Sequence, residues 1–137
     1  MPEIVPNWWA LLGCVVIRLA VGAVWYSPAG FIKPWLRMSG VTDDQMKAGM
    51  AKAIVTDVIF SFIMAFVLLH AIRYALPTSH SVGLGLAVGF LNWLGFIVPV
   101  QAGAITYERK PFGYFAINGG YQLVTILAMG AVLILWD

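Results

Sequence analysis

Hydrophobic residues do not alternate along this chain; they come in long runs. Four apolar stretches occupy about 6–26, 51–74, 81–106 and 112–136. Each reaches the roughly 20 residues that an α-helix needs to cross a hydrocarbon core. Polar side chains interrupt them singly: Arg18 in the first, Asp57 near the start of the second, Asn92 and Gln101 in the third, Asn118 and Gln122 in the fourth. Two connections are tight, 75–80 and 107–111, which predicts antiparallel neighbours in up-down order. The longest, 27–50, holds Pro28 and Pro34 and then Thr42-Asp43-Asp44-Gln45. Thr42 suits a helix cap, Gln45 completes a capping box, and the acids suit the positive end of a helix dipole. The predicted fold is all-α: an integral membrane four-helix bundle, one transmembrane domain over 1–137, with short interfacial helices in the first loop.

Composition sharpens this. Hydrophobic types make up 61% of 137 residues, charged types 10%, and mean hydropathy is +0.88. Small soluble domains leave much of their surface wet and cannot hide so much apolar area. A soluble enzyme, a nucleic-acid module and a disordered tail are all excluded. The net charge of +2 comes without a basic run, so no nucleic-acid partner is expected. Cys14 is the single cysteine, and His70 and His80 are the only histidines, so no cofactor or metal is expected. Leu11-Leu12-Gly13-Cys14 resembles a lipoprotein box, but Glu3 stands where a signal peptide wants a basic region, and the segment is expected to be an uncleaved span.

The basic residues set an expected orientation. Lys33, Arg37, Lys47, Lys52, Arg109 and Lys110 gather on the side of the first and third loops; Arg73 faces the other side. The positive-inside rule makes the first side cytoplasmic, with both termini outside the bacterial inner membrane. Trp8, Trp9, Tyr74 and Trp136 fall at the outer aromatic belt, and Trp25, Tyr26, Trp35, Tyr107 and Tyr114 at the inner one. Trp93 and Tyr121 fit neither belt and are expected inside.

Arg18 is the most informative position. It precedes Pro28 by ten residues, about 15 Å along a helix, which places it near the bilayer centre. A central arginine costs about 2.5–3.5 kcal/mol to insert, so it should face protein or water. Cys14 and Gly22 share its face and let another helix approach. Asp57 is its natural counter-ion, about 7–8 Å into the cytoplasmic half and within reach of the arginine's long side chain. Ser61 follows Asp57 by one turn; Asn118, Gln122 and Thr125 form a stripe; Asn92 lies at mid-span. Two readings compete: these groups only pin helices together, or they converge on a hydrated pocket.

Gly85 and Gly89 form a GxxxG spacing, the mark of close helix contact within a chain or between copies. Pro99 predicts a kink. Trp25-Tyr26-Ser27-Pro28 with Phe31, Lys33 and Trp35 reads as an interfacial anchor or a lipid-headgroup site. A faint repeat relates Gly22-Ala23-Val24-Trp25-Tyr26 to Gly103-Ala104-Ile105-Thr106-Tyr107, each followed by Lys-Pro-aromatic. No serine elbow, His-Glu pair or phosphate loop occurs, so an enzyme is not expected.

The Trp25-Tyr26-Ser27-Pro28 corner, Trp93-x-Gly95-Phe96 with Pro99, Glu108, and Asn118-Gly119-Gly120-Tyr121 together resemble the domain of unknown function 1761 family. The resemblance implies a small bacterial protein with four spans, and no activity. The expected function is a transporter, channel or binding protein for a small polar or anionic solute. Arg18, Asp57, Asn92, Asn118 and Gln122 would form the polar core, and membrane lipids and a second copy of the chain would be its partners. The alternative is a structural or assembly subunit of a larger membrane complex.

Overall fold

The computed structural model describes residues 3–136. Helix α1 (Trp8–Trp25) is capped by Asn7, whose side chain accepts from the backbone N–H groups of Trp9 (3.1 Å) and Ala10 (3.3 Å). A sharp corner follows, closed by Phe31 N–H donating to the Trp25 carbonyl at 2.7 Å. A Cβ at Gly30 would collide with the carbonyls of Val24 and Trp25, so only glycine lets the chain double back there. Helix α2 (Ile32–Ser39) stops at Gly40, which takes the left-handed conformation with φ 78°.

Helix α3 (Asp43–Ala48) has the expected capping box. Gln45 N–H donates to Thr42 Oγ1 and Thr42 N–H to Gln45 Oε1, both at 3.1 Å. Helix α4 (Met50–Ala75) is the second span. The third span is split into α5 (Val82–Asn92), a π turn (Trp93–Ile97) and α6 (Val98–Thr106). Helix α7 (Phe112–Trp136) is the fourth. Among the described residues there is no strand, and four helices are long and apolar enough to cross a membrane.

Proline explains the break in the third span. Pro99 has no N–H, and in a regular α-helix its ring would press on the carbonyl of Gly95. The wider π turn lies immediately before it, where Val98 N–H reaches back to the Trp93 carbonyl. The expected kink is therefore a change of helix type.

Helix α7 is the centre of the bundle and touches each of the other spans. The glycine spacing is used inside the chain. A Cβ at Gly85 would stand 2.9 Å from the Gly130 carbonyl oxygen, and one at Gly89 would stand 3.0 Å from that of Ile126. Two backbones meet at this line with no side chain between them. Toward the termini the core is apolar apart from the buried Arg73 at its end, and is built from residues such as Leu11, Cys14, Leu68, Leu69, Ile72, Met129 and Leu133. The last carbonyls of α7 are met by side chains from three other segments. Arg73 donates to Leu133 and Ile134, a His80 ring nitrogen lies 3.1 Å from the Ile134 carbonyl, and Asn7 donates to Trp136 at 3.2 Å. A cation at a helix C-terminus also suits the dipole.

Candidate functional site

The polar residues collect in the other half of the bundle, toward α2 and α3. Arg18 is 4% exposed. Its Nε donates to Ser61 Oγ (2.9 Å); its Nη1 lies within reach of Gln122 Oε1 (2.8 Å), Thr125 Oγ1 (3.2 Å) and Met64 Sδ (3.4 Å). Its Nη2 meets Asp57 Oδ1 at 3.5 Å, the longest of the contacts to oxygen. The guanidinium carbon also sits 5.2 Å from the centre of the Tyr121 ring. Tyr121 in turn donates its hydroxyl to the Arg18 carbonyl at 3.0 Å. One side chain on α1 thereby ties both α4 and α7.

The pairing of Arg18 with Asp57, Ser61, Gln122 and Thr125 is the arrangement the spacing predicts. Met64 and the ring of Tyr121 are additions, since neither a thioether nor an aromatic face registers as polar in a hydropathy pattern. Asp57 stands at the rim. Its side chain is 37% exposed and lines an open depression of about 430 Å³ along the free face of α4, with Lys52, Thr56 and Phe60.

Two predicted members lie elsewhere. Asn92 donates to the Val88 carbonyl of its own helix at 2.8 Å. It edges an apolar groove of about 510 Å³ between α4 and the third span, with Phe60, Ile63, Val67 and Phe96. A mid-span amide can satisfy its donor on the preceding turn, and this one does not join the Arg18 cluster. Asn118 lies one turn from Gln122, nearer the α2/α3 end, and its Oδ1 accepts from the Tyr26 hydroxyl at 2.8 Å.

The first-loop corner also differs from a simple interfacial anchor. Trp25, Tyr26 and Trp35 are half-buried against α7, whereas Pro28, Phe31 and Lys33 are exposed. Trp25 Nε1 donates to the Ile117 carbonyl at 3.0 Å, and Trp35 stacks on Tyr114 with centroids 6.4 Å apart. The polar tips of Trp25 and Tyr26 find partners on the helix that the corner faces, so the corner turns inward. Gly22 lies under Tyr121 and admits that ring, with its hydroxyl 3.1 Å from where a Cβ would be.

Asn118 stands between two cavities. One, about 200 Å³, lies beneath α2 and is lined by Tyr26, Ile32, Trp35, Met46 and Asn118. The other, about 460 Å³, lies between α6 and α7; its polar lining comes from Gln101, Tyr107, Glu108, Tyr114 and Asn118. Two buried polar atoms, Trp35 Nε1 and Gln101 Oε1, have no hydrogen-bond partner among the described residues. Neither Gln101 nor Tyr107 belongs to the predicted polar core. Gln101 was visible as an isolated amide, whereas Tyr107 is a belt residue by composition alone. Arg18 lines none of these cavities.

The fold and the placement of the polar groups define an all-α, multi-pass membrane protein. The chain belongs to the family described as protein of unknown function DUF1761, whose model matches residues 9–134. No curated protein and no solved structure matches it.

Proposed function

We propose that this protein binds a small polar group at the α2/α3 end of its bundle, and that Arg18 holds the bundle together without conducting a solute along its axis. One observation carries the reading. Arg18 is walled off and met by oxygens from two other helices, whereas the cavity with a polar lining, between α6 and α7, opens beside Asn118. A solute path through the centre would have to break these bonds and leave a bare guanidinium in low dielectric.

The binding end is the cytoplasmic side on this reading, since six of the basic residues cluster there. Both termini then face outward from a bacterial inner membrane. Lipid is the partner the exposed faces call for. The glycine line that would have joined two copies is filled by α7, so the reading needs no second copy.

Proteoliposome flux tests the proposal. Vesicles with wild type, with Arg18→Met and without protein are expected to release small anions and polar solutes at the same rate. An Arg18-dependent flux would overturn it. A second reading, a subunit of a larger complex, draws on the third span, the least covered of the four with 11% of its most apolar window buried. Co-purification with defined partner subunits would favour that role.

A further inference from the structure

The cavity between α6 and α7 has a chemical bias opposite to that of its surroundings. This end of the molecule carries Lys33, Arg37, Lys47, Lys52, Arg109 and Lys110, yet no basic side chain lines the cavity. Lys110 does not line it; its Nζ donates to the Ser39 carbonyl at 2.7 Å. The lining offers one carboxylate, Glu108, the two tyrosines Tyr107 and Tyr114, and the amides Gln101 and Asn118. The last turn of α6, through Gly103 and Ala104, forms one wall, and a helix C-terminus carries partial negative charge.

We infer that this cavity binds an organic ammonium group, held by Glu108, Tyr107 and Gln101. The inference rests on the binding role proposed above and names its ligand class. Carboxylate together with aromatic faces is the combination that attracts ammonium ions. Tyr114 lines the wall without holding the ligand, because its ring already takes Lys110 Nζ at 5.6 Å and stacks on Trp35. Gln101 Oε1, buried without a donor, is satisfied if its amide turns to accept an N–H from the cavity. An anion would find no cationic partner in the lining. The volume, about 460 Å³, exceeds what a bare ammonium ion needs and suits a headgroup or a small amine. Val100 carries the lining from Glu108 toward hydrocarbon, so a tail has somewhere to lie. The ammonium therefore belongs either to a lipid headgroup such as ethanolamine or to a free amine.

Purified full-length protein in detergent is titrated with short-chain phosphatidylethanolamine, short-chain phosphatidylglycerol, and ethanolamine alone, with native mass spectrometry and intrinsic fluorescence as readouts. Saturable binding of phosphatidylethanolamine or of ethanolamine is expected, weakened about tenfold by Glu108→Gln and also by Tyr107→Ala. Glu108 and Tyr107 are both exposed, so thermal unfolding of the empty variants should match wild type. Lys47→Gln, on α3, should bind as wild type does. Ethanolamine binding as tightly as the lipid identifies a free amine; lipid binding alone identifies a headgroup. Equal or tighter binding of phosphatidylglycerol, or binding untouched by Glu108→Gln, overturns the ammonium assignment and leaves the binding role standing. No saturable binding of any of the three probes overturns both.

Discussion

A guanidinium about 11 Å from the end of α1 has few ways to remain charged, and this one uses a hydroxyl, an amide, a second hydroxyl and a distant carboxylate. The contacts to Ser61 and Gln122 are short and buried, while the one to Asp57 is long and half-open to the outside. Deleting Arg18 should therefore harm the fold more than deleting its counter-ion. Arg18→Met is expected to cost about 3–5 kcal/mol, the range for breaking a buried ionic network. Asp57→Asn should cost about 1 kcal/mol or less, as at exposed pairs. Thermal unfolding in detergent measures both, and equal losses would contradict this ranking. These partners were legible from spacing, because residues 57, 61, 122 and 125 fall on helical faces that Arg18 can reach. Asn92 was not, since nothing in a sequence says whether an amide crosses to a neighbour or folds back on its own helix.

Among the elements, the capped start of α3 was fully legible because its chemistry is local: Thr42 and Gln45 need only each other. The GxxxG spacing announced close packing but could not name the partner, which lies more than 35 residues away at Gly130. Enlarging either side of that contact should separate α5 from α7. Gly130→Leu is expected to destabilise by about 1–3 kcal/mol or more, the range for overpacking, whereas Gly83→Leu should be nearly silent. Denaturation of the two variants side by side checks this, and a silent Gly130→Leu would refute it. Pro99 announced a break but not its form. Pro99→Ala restores the missing N–H and should convert the π turn to α-helix. Trp93 donates to the Gly119 carbonyl at 2.9 Å from within that turn, so its near-ultraviolet circular dichroism should change. An unchanged spectrum would mean that the turn is held by something other than the proline.

The whole molecule is polarised along its length. The terminal half has an apolar core, while the half toward α2 and α3 holds the Arg18 cluster and the cavities beside Asn118. The count of spans and the side carrying positive charge were legible because both depend on composition over many residues. The cavities were not, because they lie where α6 and α2 meet α7, a matter of packing between distant segments. The proposed orientation predicts that a phosphatase reporter fused after α7 is active outside the cell and that one inserted in the loop between α6 and α7 is inactive. The reverse pattern would refute it.

The helix on which the others lean is also the last of the four spans in chain order. Until α7 leaves the ribosome, α1 and α4 can meet each other but α5 has little to hold it to them, and Arg18 lacks Gln122, Thr125 and the Tyr121 ring. Biogenesis must therefore keep a charged, half-assembled three-span intermediate in the bilayer until α7 joins it.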